Sequence, residues 1–380
     1  MAELRIDAAI PGGNSVIERI EGDTVFLRQD QRDTEDSWFY WCFRVRGAAG
    51  RTLTFSFTDW DVIGVRGPAL SEDAGWTWRY LGPDCAQDAT FPYTFAPDAD
   101  ERWFCFTLPY TRRNLDRWLG GHADDPGLAV ERLCVSNGGR PVDRLLAGCR
   151  DADAPVKVFL AARHHCCESI PGYLLEGFLD AVLADDEHGD WWRRSVALAV
   201  VPMADADGVE QGDQGKLRLP RDHGRDYAGQ SLYAETAAIR DWLPVWGGER
   251  LRLVLDLHCP WIRGGFNEHA YFVGSEDAGQ WREMNRLGAD FEASIRGPLP
   301  YHVAGNLPFG QSWNTQPDSD KGRGLCRWAR RTFPSALAAT LETPYAALEG
   351  VEVTADRARA FGADLSLGVR RYLDRTAGAL

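Results

Sequence analysis

The chain has 380 residues, of which 44% are hydrophobic and 26% charged, a globular composition with material for sizeable cores. A formal net charge of -14 argues against nucleic acid or anionic membrane as a general partner, and no apolar run nears the ~20 residues that span a bilayer. Length alone suggests two domains, or one large domain with an extension. Met1 to Ala9 shows no basic stretch followed by an apolar one, so no signal peptide is expected. Nine cysteines, an odd number spread from Cys42 to Cys326, fit neither a disulfide framework nor a CxxC zinc site. A cytoplasmic, reducing setting suits them.

Residues 1–125 read as an antiparallel β-sandwich. Apolar-aromatic runs at residues 24–27, 38–45, 52–57 and 103–108 are separated by turn signals such as Gly47-Ala-Ala-Gly50. Arg51-Thr-Leu-Thr-Phe-Ser-Phe57 alternates with period two, as a strand with one buried face does. No helical period is sustained before Asn114.

Residues 126–380 read as α/β. Residues 156–160, 196–201, 251–257 and 336–341 are continuous apolar runs suited to strands buried on both faces. Between and after them, residues 173–183, 231–242, 278–295 and 355–372 carry apolar side chains at helical spacing. The alternation implies a sheet covered on both faces. Residues 301–327 lack periodicity and are rich in Gly, Asn, Asp and Pro; a loop that long inside a compact domain is expected to be functional, as a lid.

Chemistry-bearing residues follow the apolar runs. Arg163-His164-His165-Cys166-Cys167-Glu168 comes directly after the first of them. One turn can aim His165 and Glu168 at a common point, and both side-chain types ligate zinc. Leu253-Val-Leu-Asp-Leu-His258 is a second buried run that ends in histidine. A catalytic zinc takes three protein ligands and keeps a fourth position open. His165, Glu168 and His258 meet that count. His164 competes for the same place; neighbours on a strand face opposite ways, so only one of His164 and His165 should face the metal.

The run at 196–201 leads into a polar loop containing Ala204-Asp-Ala-Asp-Gly208, Lys216 and Asp222-His-Gly-Arg225. Arg225 offers a fork matched to a carboxylate. Arg221 and Asp226 read as solvated loop charges. The last apolar run ends in Glu342, and an unpaired carboxylate there is costly to bury. Beside a metal-activated water it would serve as general base.

In this order the pieces resemble the zinc metallocarboxypeptidases of the carboxypeptidase A type, in particular their cytosolic branch. That family carries HxxE after one strand, an Asn-Pro-Asp-Gly-like turn, an Asp-x-Asn-Arg-like element, a third histidine and a late glutamate. Trp38-Phe-Tyr-Trp41, Phe43-Arg-Val-Arg-Gly47 and Pro109-Tyr110-Thr111 look like the sandwich that precedes the catalytic domain in the cytosolic branch. The resemblance implies a mixed-sheet α/β/α catalytic domain over residues 126–380 that binds Zn2+ through His165, Glu168 and His258. It further implies Glu342 as general base, Arg225 as the anchor of the substrate's terminal carboxylate, and Asp222 as the outer partner that orients His165. The substrate would be a peptide or protein C-terminus.

The chain departs from the family's pattern at Gly224, where the family has Asn. It also departs at the arginine that polarises the scissile carbonyl. Lys216 or Arg218 lies in the right interval, with Lys216 preferred. The family's mobile-loop tyrosine has no counterpart, and Trp313 and Asn314 are candidates to line the pocket instead. Which arginine, Arg263 or another, would select an acidic C-terminal residue stays open. Two other readings share these residues: a zinc amidohydrolase acting on N-acyl amino acids or cell-wall peptides, and an inactive peptide-binding module.

Overall fold

The computed structural model describes residues 3–36, 38–151, 154–315 and 322–376. In the first third, two sheets face each other. One orders the strands Arg5–Asp7, Cys42–Arg46, Glu101–Cys105, Ala69–Ser71 and Arg79–Tyr80; the other orders Val16–Glu21, Thr24–Arg28, Thr52–Phe57 and Thr90–Thr94. All pairings are antiparallel except Thr24–Arg28 with Thr52–Phe57. Period-two alternation turns Leu53, Phe55 and Phe57 inward, against Trp41, Phe43, Phe91 and Phe104. Residues 38–41 are not strand: Trp38 and Phe39 instead turn toward Trp261 in the second half. The expected boundary at 125/126 falls in the turn between the helix Arg112–Gly121 and the strand Ala129–Val135.

The second half is built on a seven-stranded mixed sheet. Its order is Ala129–Val135, Pro141–Gly148, Val196–Val201, Val156–Ala162, Leu251–His258, Leu337–Glu342 and Tyr271–Val273. The four continuous apolar runs form its parallel centre, and the other three strands flank them antiparallel. The hairpin Ala129–Val135 with Pro141–Gly148 escapes the sequence reading because arginines and acids interrupt its apolar positions. Along Val156–Ala162, Val158 and Leu160 pack on one face with Leu174, Phe178 and Leu365, while Phe159 and Ala161 pack on the other with Ile239, Leu243 and Ala329. The chain first steps from Val156–Ala162 to one side and later returns to pair on its other side. Carboxyl ends beside such a reversal of strand order form a crevice, and ligands bind there.

Two helices on one face, Ile170–Leu183 and Ala355–Thr376, meet backbone to backbone. A Cβ on Gly177 would stand 1.9 Å from the Arg359 carbonyl oxygen, and one on Gly362 1.9 Å from that of Leu174. Neither obstacle is a flexible side-chain tip, so the helices must part. Gly177→Ala and Gly362→Ala are each expected to cost upwards of about 2 kcal/mol, read by thermal or chemical unfolding.

The apolar core is continuous between the halves, with Phe39 and Phe106 packed on Tyr345. Polar ties cross the same border. Ser169 Oγ donates to the Leu108 carbonyl at 2.6 Å, Tyr173 OH to that of Pro109 at 2.7 Å, and Tyr80 OH to that of Tyr345 at 2.8 Å. Residues 301–327 contain a short turn at Val303–Gly305 and run into a helix, Leu325–Thr332, that the sequence reading leaves in the loop. Residues 316–321, the middle of the expected lid, lie outside the described residues. All nine cysteines are free. Among the described residues no helix is long and apolar enough to cross a membrane.

Candidate active site

The strand Val156–Ala162 ends in a kink at Arg163, whose φ of 64° is costly for a residue with a Cβ. Its guanidinium holds the kink by donating to the Cys166 and Tyr110 carbonyls. Residues 163–168 are therefore a turn rather than strand, and alternation no longer governs them. His164 and His165 both reach the neighbourhood of His258, with ring centroids 6.2 Å and 4.9 Å from it.

Glu168 lies at the centre, 1% exposed. Its Oε1 is 2.9 Å from His165 Nδ1 and its Oε2 2.7 Å from His258 Nδ1. Burial works against its charge, yet Lys216, His258 and His165 hold the carboxyl well below the usual carboxylate range. Among the described residues two sets of three potential ligand atoms each lie within 4.8 Å of one another: His165, Glu168 and His258, and His164, Asp256 and His258. In the second set both His164 nitrogens have protein partners and the ring is fully buried. The cleft reaches His165 and His258 of the first set and Asp256 and His258 of the second, but His164 faces no open space. Two imidazoles and a carboxylate converging beside a cleft are a donor set that fits zinc with a position to spare.

The Leu337–Glu342 strand runs parallel to Leu251–His258, with Glu342 in register beside His258. Glu342 is 7% exposed, and its Oε2 has no hydrogen-bond partner among the described residues. Burial pushes its carboxyl up to about 7; His258 opposes this and Glu168 adds to it. A carboxyl balanced near neutrality suits proton transfer.

A cleft of about 230 Å³ is lined by His165, His258 and Glu342 together with Arg225, Trp313 and Asn314. Arg327 and Arg330 also line it, whereas Arg263 pairs with Asp61 of the first half at 2.8 Å. The sequence carries no signal for Arg327 and Arg330, because residues 325–332 are not recognised as a helix.

The two candidates for carbonyl polarisation are placed elsewhere. Lys216 Nζ is 2.7 Å from Glu168 Oε1 and donates to the Cys259 carbonyl at 2.9 Å. It steadies a carboxylate instead of lining the cleft. Arg218 is spent on three carboxylates, with Asp33 at 3.2 Å and Asp205 and Asp213 each at 2.6 Å. Asp222 is buried beside His165, with Oδ1 3.8 Å from Nε2; this is charge proximity rather than a hydrogen bond. Asp226 is not a solvated loop charge: it is fully buried and accepts from Arg221, Leu232 N, Tyr233 N and Thr236. At Gly224 a Cβ would stand 2.8 Å from His165 Nε2, so any side chain there would push on the His165 ring.

The sequence reading also misses Asp256, whose Oδ2 lies 3.0 Å from His258 Nε2. The signal was present: an acid inside a continuous apolar strand, two residues before a histidine and so on the same face.

Below this turn, Glu235 is 1% exposed and its Oε2 lies 3.9 Å from His223 Nε2. Burial pushes its carboxyl up to about 7. The unfolded chain ionises this group near its ordinary value and the folded one resists, so the cost is absent at acid pH, grows as pH rises toward 7 and is full above it. Glu235→Gln is expected to melt like wild type near pH 4.5 and to be more stable at pH 8, by on the order of 2 kcal/mol. Paired melting curves at the two pH values check this.

No protein-family model matches the chain. Cytosolic carboxypeptidase 2 of Danio rerio is 27% identical over 236 residues, 53% of this chain and 32% of that protein. Curated relatives are matched over only 14% to 55% of their own lengths. A solved metallo-carboxypeptidase from Burkholderia cenocepacia superposes with a TM-score of 0.79 at 20% identity, covering 98% of this chain and 100% of that one. One from Pseudomonas aeruginosa, in complex with (2-guanidinoethylmercapto)succinic acid, gives 0.77 at 20% identity over 97% and 99%. The chain is a sequence relative of the cytosolic carboxypeptidases, built on the fold of the metallo-carboxypeptidases.

Proposed function

We propose that the chain is a zinc-dependent carboxypeptidase that removes residues from peptide C-termini. The observation that carries this reading is the convergence of His165, Glu168 and His258 beside Glu342 in a cleft that Arg225 also lines. A zinc ion in such a donor set acts as a Lewis acid on a carbonyl and eases removal of a proton from water. Arg225 takes the substrate's terminal carboxylate and so restricts cleavage to chain ends. Glu342 accepts the proton of the attacking water as the carbon–oxygen bond forms. It delivers that proton to the amine as the carbon–nitrogen bond breaks. Lys216 keeps Glu168 charged and oriented, while Asp222 supports His165 by its charge. Arg327 and Arg330 in the same cleft favour an acidic last residue. Residues 1–125 act as a domain that abuts the cleft of residues 126–380 and guides access to it.

Metal analysis with release of C-terminal residues from mixed peptides tests the reading. About one zinc per chain is expected, with peptides ending in Glu or Asp cleaved fastest. A second reading keeps the metal and takes N-acyl amino acids; Gly224 favours it, since this position offers no side chain to a substrate carboxylate. Turnover of N-acyl amino acids without release from peptides would decide for it. Zinc below about half per chain, with no rescue by added metal, would leave only a binding module.

A further inference from the structure

His164 is not used by the chemistry above, although it adjoins a proposed ligand and is fully buried. Its Nδ1 lies 2.8 Å from Asp256 Oδ1, and its Nε2 lies 2.7 Å from Tyr227 OH. The other oxygen of Asp256 lies 3.0 Å from His258 Nε2. Four buried groups therefore form one chain, Tyr227–His164–Asp256–His258.

Hydrogen-bond polarity gives this chain a direction. An ionised carboxylate only accepts, so His164 Nδ1 and His258 Nε2 must both carry hydrogen. A neutral imidazole protonated at Nδ1 accepts at Nε2, so Tyr227 must donate its O–H to His164. With zinc bound, His258 keeps its one hydrogen at Nε2 and offers the Nδ1 lone pair to the ion. That is the nitrogen turned toward Glu168. Asp256 thereby selects the Nε2–H form of His258 when zinc occupies the Nδ1 side.

We propose that His164 and Tyr227 are positioning residues of the metal centre. Through Asp256 they fix the ring orientation and tautomer of His258, and so strengthen its hold on the ion. The inference rests on the zinc reading of His165, Glu168 and His258. Without His164, one oxygen of a buried carboxylate loses its donor, and Asp256 is free to turn away from His258. Partners at this remove from a metal are commonly worth 10–100-fold in affinity.

The test is zinc affinity by chelator competition on the full chain. The melting temperature of each metal-free protein is measured alongside to confirm folding. His164→Leu is expected to weaken zinc binding roughly 10–100-fold. His164→Asn, whose amide can stand where Nδ1–H does, should recover much of it. Tyr227→Phe removes one oxygen and should weaken binding several-fold. Cobalt-loaded forms of the leucine variant should show a shifted d–d spectrum. Wild-type affinity in His164→Leu overturns the proposal. So do two zinc ions in the wild type with one in His164→Leu, which would make His164 a ligand. Should His164→Leu fail to fold, Tyr227→Phe decides, and unchanged affinity there overturns the proposal. A wild type that binds no zinc sinks the underlying reading and this inference with it, whereas a zinc-binding wild type with indifferent variants sinks this one alone.

Discussion

Glu342→Gln should leave zinc bound and the fold intact while lowering kcat by roughly 10²–10⁴-fold. Glutamine matches glutamate in shape and cannot take a proton from water. It also removes a buried carboxyl that burial has pushed up to about 7. In the metal-free protein such a group costs stability above its ordinary range, so the metal-free variant should melt no lower than metal-free wild type at pH 8. Activity is thus expected to fall with no loss of stability, which a misfolded variant could not imitate. Steady-state kinetics, metal content and a melting curve on one preparation settle it. Full activity in Glu342→Gln would sink the mechanism.

The largest expected loss of stability belongs to Arg218→Met. The guanidinium is 8% exposed and is shared by Asp33, Asp205 and Asp213. Asp205 in turn caps the helix Ala206–Gln211 through the Gly208 amide at 2.8 Å. Methionine fills the space but takes the guanidinium from Asp33 and Asp205 and leaves Asp213 only Arg32, and removing one partner of a buried ionic cluster costs about 3–5 kcal/mol. Asp33 also accepts from the Gln214 and Gly215 amides at 3.0 and 2.9 Å. The loop that carries Lys216 is therefore clamped by the first half of the chain. Melting should fall by about 5 °C or more, and activity should fall with it as Lys216 drifts from Glu168. Loss of stability with unchanged kcat would show that the loop keeps its place without the clamp.

The four central strands were legible because continuous apolar runs admit few other readings. His165, Glu168, His258 and Glu342 were legible because each sits at or just past the end of such a run. The flanking hairpin was not, since Glu131, Arg132, Asp143 and Arg144 break its pattern. Nor was the role of Lys216 or Arg218. A basic residue in a polar loop looks the same whether it awaits a substrate or neutralises buried acids. Only the fold brings Glu168 to one and three aspartates to the other. Gly224 reads as a missing side chain in sequence and as a close neighbour of the His165 ring in space, because that ring comes from a turn 59 positions earlier.

The strand Leu337–Glu342 reaches the sheet late, after every proposed metal donor has been made. During synthesis, a growing chain that has passed His258 holds the full donor set but lacks Glu342 and the strand that pairs with His258. The proposed base is thus added 84 residues after the last proposed metal donor. On the proposed chemistry, that order leaves a partly synthesised chain with its metal donors and without its general base.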